Sequence, residues 1–180
     1  MLSKSKILLF IFFIIVPFRL LYAQTLYEVS KDWYTLIAED KKKNKVCYVA
    51  SMPKKKVGNF QKRNEPYLLV NYFKDREPEV SFTPGYNLLP GSVIKLQIDK
   101  KQFFLTKIKK EFAWADKTVD DKKIIEAFKK GARVEIKAQA KNGKYSIDNF
   151  SLMGFGSSYK KMLELCSKEQ LKLYKSKKEE

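Results

Sequence analysis

The 180-residue chain has no histidine, two cysteines and four arginines, and each scarcity closes off a class of chemistry. Without an imidazole there is no Ser-His-Asp or Cys-His nucleophile pair, no HExxH metal site and no histidine proton shuttle. The two thiols, Cys47 and Cys166, cannot complete a four-ligand zinc site and do not form a CxxC pair. Acids are scarce as well: 20 Asp plus Glu stand against 37 Lys plus Arg, for a formal net charge of +17. No apolar run reaches the roughly 20 residues that a membrane-spanning helix needs. No repeat of 20–50 residues is visible, and strand and helix patterns do not alternate as in a doubly wound sheet. No catalytic residue, metal ligand or cofactor is expected on these grounds.

Apolar residues make up 44% of the chain and aromatics 14%, enough to bury a core. The first segment reads as an address. Lys4 and Lys6 precede the apolar run Ile7 to Val16, Pro17 breaks it, and Leu21-Tyr22-Ala23 leads into Gln24. A positive start, a short apolar stretch and a small residue before the cut describe a secretory signal peptide over 1–23, cleaved after Ala23. An uncleaved anchor is the alternative. Loss of Lys4, Lys6 and Arg19 would leave +14 on a mature chain with no transmembrane helix. The periplasm is the expected destination, with the outer surface or secretion beyond it.

The mature chain alternates short β-rich runs with turn formers. Trp33 to Ala38 and Val46 to Ser51 flank the polar stretch Asp40 to Lys45 at hairpin spacing. Met52 to Arg63 reads as a basic loop, and Tyr67 to Phe73 is apolar enough to suit a strand buried on both faces. Strands are also expected at Glu79–Thr83, Val93–Ile98, Phe103–Leu105, Ala132–Ala140 and Lys144–Leu152, with Phe112–Trp114 an edge strand or corner. Asn142-Gly143 is a strong hairpin signal. Helical periodicity marks Asp120 to Lys130, which has acids in its first turn, lysines in its last and Gly131 beyond. It returns from about Ser157, where Tyr159, Met162 and Cys166 share a face. The expected fold is all-β dominated: an antiparallel sandwich or barrel-like domain over 24–166. It has seven to nine strands and two short helices, one mid-chain and one C-terminal. A basic tail follows at 167–180.

Each chemistry-bearing cluster admits two readings. Cys47 and Cys166 either form a disulfide, as exported thiols usually do, or stay as separate buried thiols. The lysine groups divide between solubility and an anionic docking surface. The candidate contacts are Lys41, Lys42 and Lys43, then Lys54, Lys55 and Lys56, with Lys62 and Arg63. The excess of Lys over Arg argues against planar phosphate recognition, and nucleic acid is not an expected partner. Glu111, Asp116, Asp120 and Asp121 suggest either acid–base work or acids gathered at a helix start. The aromatic set Trp33, Tyr67, Tyr72, Phe82, Phe103, Phe104 and Trp114 suggests core, or else a sugar-stacking platform.

Taken together, several segments resemble one family. Trp33, Cys47-Tyr48-Val49-Ala50-Ser51 with Pro53, Glu65-Pro66-Tyr67-Leu68-Leu69-Val70, Ala113-Trp114, and Ser151-Leu152-Met153-Gly154-Phe155 leading to Cys166 are similar to invasion-associated locus B proteins. The resemblance implies an exported, β-rich envelope protein of alphaproteobacterial type, linked to host-cell interaction. It also implies pairing of Cys47 with Cys166, and it carries no catalytic residue. The expected function is therefore non-enzymatic binding of an envelope or host component, an anionic glycolipid or glycan among the candidates. A structural or chaperone-like periplasmic role and a carboxylate-dependent cell-wall hydrolase are the alternatives.

Overall fold

The alternating apolar runs pair into two antiparallel sheets. A computed structural model describes residues 25–39, 45–60, 62–73 and 76–166. The expected signal peptide, the turn carrying Lys41, Lys42 and Lys43, and the basic tail lie outside the described residues. The strands are β1 (Thr25–Ser30), β2 (Trp33–Glu39), β3 (Lys45–Ser51), β4 (Lys55–Gly58), β5 (Tyr67–Phe73), β6 (Glu79–Thr83), β7 (Ile94–Ile98), β8 (Lys101–Leu105), β9 (Lys107–Lys109), β10 (Phe112–Trp114), β11 (Arg133–Gln139) and β12 (Tyr145–Ser151). The helices are α1 (Thr118–Lys130) and α2 (Phe155–Cys166). One sheet runs β1-β2-β3-β5-β6-β10-β9 and the other β4-β12-β11-β7-β8. The architecture is sandwich-like, with the two helices where periodicity places them, each starting two residues earlier than expected.

Side-chain alternation decides which face of each sheet is inside. On the larger sheet Trp33, Cys47, Val49, Leu68, Val70, Val80 and Phe82 are buried, and on the smaller one Ile94, Leu96, Val134, Ile136 and Phe150. Phe82 meets Phe150 edge to face across the interior, with centroids 6.2 Å apart. Trp33 ties four elements together. Its Nε1–H donates to the Ser151 carbonyl at 3.0 Å, and its ring packs on Phe155 of α2 and Phe128 of α1 at 4.8 and 6.2 Å.

Four expectations change. The strand Tyr67–Phe73 is not buried on both faces: Leu68 and Val70 point inward, whereas Tyr67 is exposed and Leu69 and Asn71 are half-buried. The basic loop is not all loop, because Lys55–Gly58 pairs with β12 from Ser146 to Asn149. Among the described residues twelve strands replace seven to nine: β4 and β9 carry little apolar signal, and β1 leaves its apolar residues Leu26, Tyr27 and Val29 about half exposed. Phe112–Trp114 lies between β6 and β9 and is therefore not an edge. The aromatics divide as well. Trp33 and Phe82 are core, Tyr72, Phe103 and Trp114 are half-buried, and Tyr67 and Phe104 are 37% and 49% exposed.

The turn from β12 into α2 depends on Gly154, whose φ of 91° lies in the left-handed region. A Cβ there would also overlap the Ser30 carbonyl oxygen at the end of β1. Gly154→Ala is expected to cost more than about 1 kcal/mol, from strain plus overlap. Urea unfolding checks it, and an unchanged midpoint would contradict this reading.

Candidate functional site

Cys47 on β3 and Cys166 at the end of α2 form a disulfide, with Cα atoms 6.1 Å apart across 119 residues of sequence. Of the two thiol readings the paired one holds. The bridge fixes α2 against the inner face of the larger sheet. There Thr35 Oγ1 donates to the Ser158 carbonyl, and Ser158 Oγ donates to the Trp33 carbonyl, both at 3.4 Å.

Among the described residues, the sequence-predicted cations Lys54, Lys55, Lys56, Lys62 and Arg63 are put to different uses. Lys54 is paired with Asp32, and Lys56 donates to both oxygens of Glu65 at 3.0 Å. Lys54's ammonium holds the Asp32 carboxyl below its usual range, helped by Ser151. Arg63 turns inward. Its side chain is 10% exposed, and its guanidinium grips the fully buried Asp148 with two parallel hydrogen bonds. Nη1 also donates to the Pro84 carbonyl at 2.8 Å. Behind the pair, Ser146 Oγ reaches Asp148 at 3.2 Å and Tyr86 Oη at 2.9 Å, and Tyr86 donates to the Ala138 carbonyl. Lys55 and Lys62 remain exposed and form no ion pair among the described residues.

The acids are dispersed. Asp116 and Asp121 line one cleft of about 590 Å³ with Glu77, Glu79, Lys107 and Trp114. Asp120 does not line it and pairs with Lys123 at 3.8 Å. Lys107 holds Asp116 through both its carboxylate and its carbonyl. Asp120 and Asp121 both lie in the first turn of α1, as the helix-start reading has it, and Asp121 has a second role. The N-cap residue Lys117 makes no side-chain cap, while Asp121, buried on α1, accepts the Val80 N–H of β6 at 2.8 Å. Asp121 is thus a tether between helix and sheet.

Burial pushes the Asp121 carboxyl up to about 6, with Glu79 and Asp120 adding to the shift and the Val80 N–H opposing it. The folded state therefore holds this proton more tightly than the unfolded one. The resulting stabilisation is full below about pH 4 and is lost as pH rises through about 6. Asp121→Asn keeps an acceptor for Val80 and removes the titration. Its stability relative to the native chain is expected to improve by about 2 kcal/mol between pH 4 and pH 7.5. Paired thermal melts at the two pH values check this, and a pH-independent difference would contradict it.

A third feature is absent from any local stretch of sequence. The face of α1 opposite Asp121, Ile124 and Phe128 carries Val119, Lys122, Lys123, Glu126, Ala127 and Lys130, spaced for one helical stripe. It faces the β7–β8 hairpin across a groove of about 780 Å³, floored by Ile98, Phe103, Val119 and Ala127. Lys100, Lys101, Lys122, Lys123 and Lys130 rim it, against two acids, Asp99 and Glu126. Both acids are engaged: Asp99 Oδ2 accepts the Ala132 N–H at 3.1 Å, and Glu126 takes Lys129 at 2.7 Å. Lys122 and Lys123 lean on Glu77 and Asp120, while Lys100, Lys101 and Lys130 have no ion pair among the described residues. The signal for this site lay in helical spacing plus a hairpin turn, which counting neighbouring lysines does not reveal. A smaller depression of about 310 Å³ lies on the outer face of β2, β3 and β5, among Tyr34, Leu36, Tyr48, Tyr67 and Leu69. No helix of the described residues is long and apolar enough to cross a membrane.

Two antiparallel sheets, a core Trp and a helix bridged to β3 define a disulfide-locked β-sandwich with a basic surface. Residues 33–163 match the family model for invasion associated locus B (IalB) protein, and the chain belongs to that family. Among solved structures it is similar to the crystal structure of invasion associated protein b from Bartonella henselae. The TM-score is 0.56 at 18% identity, covering 78% of this chain and 98% of that one. At that identity the likeness establishes the fold alone. No curated protein matches the chain.

Proposed function

We propose that this chain is an exported, non-enzymatic envelope protein that works by binding, holding an anionic component of the envelope or of a host cell against its basic surface. The observation that carries the reading is the groove between α1 and the β7–β8 hairpin. An apolar floor under five lysines is a binding geometry, and its volume falls within the roughly 300–1,000 Å³ usual for ligand sites. The Cys47–Cys166 bridge supports export, because such bonds persist in oxidising compartments. The leader-like start and the family point the same way. Lysine supplies mobile point charges suited to lipid and glycan anions rather than planar recognition. Lys55 and Lys62 supply further exposed charge at the far end of the smaller sheet.

The test uses the full chain, exported from a bacterial host and purified in its processed form. It is presented with lipopolysaccharide, anionic lipid, acidic glycan and neutral counterparts of each. Salt-sensitive preference for at least one anionic class is expected. Equal retention on neutral and anionic surfaces would retire the charge-driven reading. Recovery of a periplasmic protein alone would replace it with a chaperone-like role.

A further inference from the structure

We propose that the groove between α1 and the β7–β8 hairpin takes an anionic lipid. Its acyl chain would lie on Ile98, Phe103, Val119 and Ala127, and its phosphate among Lys100, Lys101 and Lys130. The proposal rests on the binding role argued above and names the ligand class for that site.

The choice follows from two properties that occur together here and not at the other depressions. The floor is mostly aliphatic, which a free phosphate cannot use and which offers a glycan a single ring, Phe103, to stack on. The rim is cationic, which a neutral lipid or an ordinary apolar peptide cannot use. Positive charge is in excess here, because five lysines line the groove against two acids, Asp99 and Glu126, and Glu126 is shared with Lys129 outside it. Lys100, Lys101 and Lys130 form no salt bridge among the described residues, although Lys130 lies near enough to Glu126 to help hold its carboxyl down. Val119, one of the apolar residues lining the groove, is 51% exposed despite its β-branched side chain. The long lysine stems extend the apolar wall while their ammonium groups stay in water, an arrangement suited to an amphiphile at an interface. By contrast, the tyrosine-rimmed depression on β2, β3 and β5 has no charge to select an occupant. The cleft at Asp116 and Asp121 mixes acids with cations, of which Lys107 already holds Asp116 and Arg76 lies 3.9 Å from Glu79.

Co-sedimentation tests this with the processed full chain and two vesicle types, phosphatidylcholine alone and phosphatidylcholine mixed with phosphatidylglycerol. Binding to the mixed vesicles only is expected. Each lysine near an anionic surface is worth roughly fivefold in affinity, so Lys100→Glu/Lys130→Glu should weaken binding by more than about tenfold. Lys137→Glu/Lys160→Glu makes the same change in net charge away from the groove and should weaken it far less. Val119→Ser, which changes no charge, should also reduce binding, a loss that a purely ionic contact would not show. Matching circular dichroism and melting temperature establish that the variants are folded. Equal loss in the two double variants would overturn the groove, as would loss at Lys55→Glu/Lys62→Glu in its place. An unaffected Val119→Ser would overturn the lipid assignment. Any of these results leaves open binding of another anionic class, which the panel in the preceding subsection decides separately.

Discussion

Cys47→Ser is expected to lower the stability of the folded chain by about 4–5 kcal/mol, the largest single effect in the molecule. The bridge closes 119 residues, and a crosslink across so long a segment removes a large share of the conformations open to the unfolded chain. For a domain of this length the loss corresponds to a fall in melting temperature of roughly 10–20 °C. Cys166→Ser should cost the same, and the double variant no more than either single one, since the three lose one bond. The effect has a local address as well. Without the bridge, α2 keeps Trp33, Phe155 and the paired bonds between Thr35, Ser158 and Trp33, but its last turn loses its covalent hold on β3. Amide exchange should therefore rise first near Cys166. A change of under about 1 kcal/mol would show that the bridge contributes little beyond the packing around it.

Arg63→Ala is expected to cost about 3–5 kcal/mol, because it leaves the Asp148 carboxylate buried without its cation. Every buried side-chain polar atom among the described residues has a partner, and Arg63 supplies two of the contacts that satisfy this network. Its removal also leaves the Pro84 carbonyl without its donor. The double variant Arg63→Met/Asp148→Leu should be less damaging than Arg63→Ala, since it removes both charges together. Arg63→Lys should fall between, because an ammonium cannot reproduce the two parallel bonds. Denaturant unfolding of the three variants checks the order. A loss for Arg63→Ala within about 0.5 kcal/mol, as at an ordinary surface position, would mean that the pair is not sealed from water.

Arg63 also shows where reading the sequence reached its limit. In the chain it follows Lys62 and belongs to a run of cations, and nothing adjacent marks it as internal. Its partner Asp148 stands 85 positions away on β12, so the pairing exists only once β12 is packed against the loop before β5. The lysine-rimmed groove was hidden for the same reason. Lys100 sits in a hairpin turn and Lys101 opens β8 beside it, while Lys122, Lys123 and Lys130 sit on a helix. Neither group is dense enough alone to rank beside Lys54-Lys55-Lys56. The elements that were legible are those in which burial repeats with a fixed period: β2 and β3 around Trp33 and Cys47, β11 and β12 about Asn142-Gly143, and the apolar stripes of α1 and α2. The strands that were missed form by backbone pairing with little help from side chains. All four residues of β4 are exposed, and β1 leaves Leu26, Tyr27 and Val29 about half exposed. Tyr67–Phe73 misled for the opposite reason. Its outer residues are apolar although only Leu68 and Val70 enter the core, and that outer face forms part of the tyrosine-rimmed depression.

Export is the premise on which the disulfide, the partner class and the proposed lipid site all depend. Intact-mass measurement of the native protein, taken without reductant from fractionated cells, tests it most directly. The predicted species begins at Gln24, leaves the cytoplasm and has no free thiol. A chain still carrying residues 1–23, with Cys47 and Cys166 both open to alkylation in the cytoplasmic fraction, would contradict the account.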